Sequence, residues 1–148
     1  MLVLAIFAIP ICISDWRNRR IPNIYLLFML YLTLATRPFI PVKSIAVISA
    51  AALCAVLLLL VGIGAGDAKL LIISALALNL PNFGALLLFA TSIYVGAIFQ
   101  VILIWLFSAR LPKSIPLAFA IFSGSALYLA ANTSTTLRQY ADALVNSW

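Results

Sequence analysis

Charge is absent from five stretches of this chain, residues 1–14, 21–36, 44–66, 70–109 and 114–137, and that pattern governs what it can fold into. A helix that crosses a bilayer needs about 17–25 mostly apolar residues, and these stretches approach or exceed that length. Nine basic and three acidic side chains serve 148 residues, 66% of which are apolar. A soluble domain carries about 25% charged residues, so a water-soluble globule is excluded. Away from water every backbone polar group must be paired within its own segment, which predicts that each run is helical.

The 40-residue run is too long for one crossing. It is interrupted by Asn79-Leu80-Pro81-Asn82-Phe83-Gly84, a turn signature. The predicted fold is therefore all-α, a polytopic membrane bundle of six spans near 1–14, 22–36, 44–61, 67–80, 83–107 and 114–131. These make one membrane domain, 1–131, and no internal repeat is visible. Arg17, Arg19, Arg20, Lys69, Arg110 and Lys113 fall on one side of such a bundle, and Arg37, Lys43 and Arg138 on the other. The larger group is expected inside, which places both termini outside a plasma or inner membrane. The net charge of +6 is read as this bias and not as a nucleic-acid footprint. The first run lacks a basic start and a small-x-small site, so it is expected to remain as a span. In the tail, 132–148, Leu137, Tyr140, Leu144 and Trp148 recur at helical spacing. That predicts an amphipathic helix on the outer surface, capped by Asn132 or a nearby Thr.

Glu and His are missing, and the only carboxylates are Asp15, Asp67 and Asp142. A His-based triad and most metal sites are thus beyond the chain's own means; no metal and no cofactor are expected. Cys12 and Cys54, both in apolar runs, read as small buried hydrophobes. Asp15 closes the first run and Asp67 opens the fourth, so the topology puts both at the cytoplasmic ends of their helices. An ionisable group at the edge of a span is costly and is by default a functional candidate. Counted from Asp67 to Leu80, span four is only about 21 Å long, against a core of ~30 Å. A thinned, hydrated face around the acids is expected, and labelling of a cysteine at Ala65 would report it. Three of the six glycines fall at 62–66, where they permit a turn and the close approach of another chain. Taken singly, Asp67 could merely cap helix four, and Asp15 could be an ion-pair partner for its arginines. As a pair they offer more. Neighbouring carboxylates cannot easily both ionise, so one keeps a proton and the other takes one. That suffices to hydrolyse a peptide with water, without a metal or covalent intermediate.

These residues match a known pattern. Gly64-Ala65-Gly66-Asp67, continuing Ala68-Lys69-Leu70-Leu71, resembles the GxGD motif of type IV prepilin peptidases. Asp15 with Arg17, then Arg19-Arg20-Ile21-Pro22-Asn23, resembles the segment around that family's other catalytic aspartate. Lys113-Ser114-Ile115-Pro116, with Gly124 beyond, is similar to the start of its last span, although Leu117-Ala118 departs from the usual Phe-Gly. GxGD alone is weak; three motifs in family order over nearly the whole chain are not. The resemblance implies a membrane aspartic endopeptidase that removes the basic leader of prepilins or pseudopilins at the cytoplasmic face. Asp15 and Asp67 would be its catalytic pair. Gly64, Gly66, Lys69, Arg17, Arg20, Pro22, Asn23 and Pro116 would bind substrate or shape the loops. The small size and the Arg-Arg-Ile-Pro-Asn form look most like the tight-adherence (Flp) type, without the zinc domain or N-methylation of larger members.

The remaining polar residues have local readings. Lys69, two positions after Asp67, is expected on another helix face, toward lipid phosphate or the leader. Arg17, Arg19 and Arg20 are expected at anionic headgroups. Pro22 is predicted as a first helical residue and Asn23 as a local backbone partner. Gln100 and Tyr94 are read as helix-packing polar groups and not as catalytic ones. Two other classes stay open: a small proton or ion transporter using the acids as a relay, and a non-catalytic pilus-assembly protein.

Overall fold

A computed structural model describes residues 2–36, 42–108 and 115–145, those after 134 by backbone alone. Among them there is no strand, and six helices follow in order: α1 Leu2–Asn18, α2 Asn23–Ala35, α3 Ile45–Leu60, α4 Ala65–Leu78, α5 Phe83–Ser108 and α6 Leu117–Val145. Each predicted span has its helix. Two of them, Phe83–Phe107 in α5 and Leu117–Ser134 in α6, are long and apolar enough to cross a membrane; α2 and α3 are apolar but shorter. Ile, Leu, Phe and Val side chains lie exposed along all of α1, α2, α3 and α5. Contiguous apolar surface on this scale marks contact with something other than water. The chain is a membrane protein.

The helix ends are built locally. Ser44 caps α3 by accepting from the Val47 N–H at 3.3 Å, and Asn82 caps α5 by accepting from Ala85 N–H at 2.8 Å. Gly62, at φ +97°, ends α3: its N–H reaches the Leu59 carbonyl and that of Ile63 the Leu58 carbonyl, the paired bonds of a Schellman stop. Asn79 ends α4 in the left-handed region at φ 54°, and its Oδ1 accepts from the Lys43 N–H at 2.9 Å. One residue thereby closes α4 and ties it to the strand-free segment before α3.

Three expectations need correction. Pro22 is not the first residue of α2 but its cap, extended at φ −62°, ψ 128°. Asp67 is not a cap: Gly64 holds that position, and α4 begins two residues before the acid. Asn132 starts no new helix, because α6 runs on without a break to Val145. A capping residue must leave helical geometry, and with no Gly or Pro between 125 and 148 nothing in the sequence forces that.

Helix α4 is the hub, packed against α1, α2, α3 and α6. Six of its 14 residues are buried, among them Leu70, Ile73 and Ser74. Helices α5 and α6 form the most extensive pair in the molecule, with Phe89 meeting Tyr128 edge to face at 6.1 Å between ring centroids. Lipid tails are as apolar as leucine, so such packing and not the hydrophobic effect holds membrane helices together.

Candidate active site

The two acids come together through three helix ends. Helix α1 stops at Arg19, which takes the left-handed conformation at φ 50° and donates its N–H to the Asp15 carbonyl at 2.8 Å. That conformation disfavours a side chain with a Cβ by about 1–2 kcal/mol. Arginine there keeps a cation beside the acid, and its charge acts on the Asp15 carboxylate. The short connection through Arg20 and Ile21 then turns into α2, with the Ser14 hydroxyl donating to the Arg20 carbonyl at 3.2 Å.

Asp15 itself is buried, 5% exposed. Its Oδ2 accepts from the backbone N–H of Ala118 at 3.0 Å, across 103 residues of chain. Pro116 explains why that N–H is available. It stands immediately before α6, so the helix cannot extend backward and its first N–H groups have no intrahelical acceptor. The third of the sequence motifs thus acts through its main chain, pointing a helix N-terminus at the buried acid. Ala118 is fully buried, and a main-chain contact of this kind does not depend on the side chain it carries.

Asp67 is held from the other side, half-buried in the first turn of α4. It shares a cleft of about 300 Å³ with Asp15, lined also by Arg19, Arg20, Asn23, Gly64, Gly66 and Lys69. The carboxylates are close enough for the charge of Asp15 to act on Asp67. The Oδ1 of Asp67 is buried without a hydrogen-bond partner among the described residues. On its membrane side Asp67 also edges an apolar cavity of about 260 Å³ between α3, α4, α5 and α6, with Leu71, Ile93, Tyr94, Leu117 and Ile121 in its wall. One acid therefore faces a polar cleft and an apolar groove at once.

The glycines of the motif supply space more than flexibility. Gly64 has φ −60° and ψ 138°, open to any residue, but a Cβ there would stand 3.0 Å from Asp67 Oδ2. A Cβ on Gly66 would stand 3.1 Å from the Cβ of Ile21, in the loop after α1. Gly66 thus lets α4 approach the Asp15 segment, and Gly64 leaves the carboxylate room. Gly64→Ala should fold and melt as the parent does, since only the end of a side chain must move. Any reaction that depends on the placement of the Asp67 carboxylate should slow about tenfold or more in that variant, because misplacing a reacting group by an ångström costs up to about 10²-fold. Unchanged turnover would show that the carboxylate's position is not set by that space.

The other predicted residues divide. Lys69 is not turned away from the site: it lines the cleft and donates from Nζ to Asn23 Oδ1 at 3.1 Å. Asn23 accordingly bridges α2 to α4 instead of serving its own backbone. Arg20 lines the cleft, whereas Arg17 is exposed in the last turn of α1 and Pro22 is absent from the wall. Arg110 and Lys113 lie outside the described residues. The sequence did not mark Arg19 or the Ala118 N–H as parts of the site. A bulky residue in left-handed conformation leaves no sequence signal, and a main-chain donor has no residue type.

Comparison with curated proteins and with solved structures returns no match. The sequence model of the type IV leader peptidase family matches residues 2–101, which include both acids and both glycine contacts and stop short of α6. With that match over more than half its length, the chain belongs to the type IV leader peptidase family.

Proposed function

We propose that this protein is a membrane-embedded aspartic endopeptidase that removes the basic leader from type IV, Flp-like prepilins by activating water between Asp15 and Asp67. The observation that carries this reading is the meeting of the chain's two membrane-edge acids in one cleft. Donors are shared unevenly there. Asp15 has the Ala118 N–H and the Arg19 charge, while Asp67 Oδ1 has no hydrogen-bond partner among the described residues. Hydrogen bonds and positive charge favour an ionised carboxyl. The negative charge of the pair rests on Asp15, and the proton on Asp67.

The chemistry then balances without a cofactor. Asp15 takes a proton from water as the oxygen attacks the scissile carbonyl, and Asp67 gives its proton to the carbonyl oxygen. The tetrahedral intermediate collapses as the C–N bond breaks, with the nitrogen taking the proton held by Asp15. Asp67 regains a proton from the gem-diol. The apolar helix of the precursor would lie against the groove beside Asp67, and the leader would stay at the cytoplasmic surface among headgroups held by Arg17 and Arg20. All six helices are read as crossings, with the acids inside and both termini outside a plasma or inner membrane. Helix α4, at 14 residues, spans only about 21 Å, which suits a bilayer thinned at the cleft.

Co-expression with a prepilin carrying a basic leader and an apolar helix, followed by mass measurement of its N-terminus, tests the proposal. The expected product lacks the leader and carries no added methyl group. A precursor that stays intact beside folded, membrane-inserted protein would overturn the reading.

A further inference from the structure

A further cavity, of about 450 Å³, is lined by Trp16, Gln100, Leu103, Ile104, Phe107 and Phe119. We infer that it is the substrate subsite beside the scissile bond, taking one apolar side chain and pairing the adjoining peptide group with the Gln100 amide. The inference rests on the peptidase reading above.

Gln100 is the anomaly. It is 3% exposed, and neither its Nε2 nor its Oε1 has a hydrogen-bond partner among the described residues. It is packed inside, as a helix-packing group would be, but its amide bonds none of the described residues there. A buried amide without partners is a standing cost, and a leucine would avoid it. Beside the Trp16 indole it is the one side chain of that wall with both a donor and an acceptor, which points to a ligand that brings both as well. A peptide unit does so: Nε2 donates to its carbonyl, and its N–H donates to Oε1. A lipid chain brings neither, and a water needs two to four polar neighbours.

Position supports the same occupant. Trp16 follows Asp15, and Phe119 follows Ala118, whose N–H binds Asp15, so two residues of the cavity wall are the chain neighbours of that contact. An apolar helix has its peptide groups bonded internally. To expose a bond to water it must unwind locally, and the freed groups then need partners where the bilayer offers none. Gln100 would supply one pair of them.

The test uses full-length protein in nanodiscs and a prepilin-type peptide, with single amides on either side of the scissile bond replaced by esters. Parent protein should show one ester position that lowers kcat/KM about tenfold. Gln100→Leu should lose at least about tenfold in kcat/KM on the all-amide peptide, show no further loss from that ester, and melt no lower than the parent. Cleavage by Gln100→Leu within twofold of the parent, or equal ester losses in both proteins, would overturn the inference; the latter would leave the cavity to lipid. A lower melting temperature would assign the amide to the fold and overturn it as well. Parent protein that cleaves no precursor at all would instead sink the peptidase reading.

Discussion

Asp15→Asn and Asp67→Asn each leave a folded membrane protein whose cleavage of a prepilin-type precursor is slower by about 10²–10⁴-fold. Asparagine keeps the size and planarity of the side chain, so each substitution removes proton transfer and little else. In Asp15→Asn the remaining oxygen still accepts the Ala118 N–H, now 3.0 Å from Oδ2, but nothing is left to take a proton from water. In Asp67→Asn the side chain can donate a hydrogen bond but cannot surrender a proton to the carbonyl oxygen. Neither variant should melt below the parent, because Asp15→Asn removes a buried charge and Asp67→Asn replaces a carboxyl that already holds the shared proton. The double variant should be no slower than the slower single one, since groups that act as a unit are not additive. Thermal melting in detergent together with the mass of the co-expressed precursor checks all three. A single variant that cleaves at the parent's rate would strike that residue from the mechanism.

Much of this was legible because membrane constraints are severe. Charge-free runs predicted six helices close to those seen, and the turn from Asn79 to Gly84 was readable from Asn, Pro and Gly alone. The two acids were singled out by scarcity, since Asp142 is the one other carboxylate in the sequence. What escaped were contacts that residue identity does not encode. The Ala118 N–H binds Asp15 from 103 positions away, and only the juxtaposition of α1 with α6 creates that bond. Lys69 sits on a different face of α4 from Asp67, as spacing implies, yet α2 brings Asn23 to it and closes both onto one cleft. The cap expected at Asn132 failed for a related reason. A polar residue permits a helix start but does not force one when the preceding helix can continue.

Gly124→Ala should lower both thermal stability and cleavage, while Gly84→Ala should lower neither. A Cβ at Gly124 would lie 2.6 Å from the Cα of Ile93, 2.7 Å from its N and 2.8 Å from Cγ1. Two of those atoms are main chain of α5 and cannot rotate aside, so α6 must lift by about 1 Å to restore carbon–carbon contact. Gly96 makes the same crossing close from the other helix, where a Cβ would meet Ser123 Oγ at 2.5 Å. Overpacking of this kind costs about 1–3 kcal/mol, in a bilayer where close packing is the main source of helix association. The effect should reach the active site because Ala118 lies on the same helix, about 9 Å along its axis from Gly124. Moving α6 stretches the 3.0 Å bond that holds Asp15, and an ångström of misplacement costs about 10²-fold in rate. Gly84 supplies the contrast. It is exposed at the start of α5, its nearest neighbour would be Asn82 Oδ1 at 3.4 Å, and alanine gains about 0.8–1.0 kcal/mol of helix propensity over glycine. Thermal melting and precursor cleavage measured on both variants separate the cases. A Gly124→Ala protein as stable and as active as its parent would mean that α6 does not position Asp15 through this crossing.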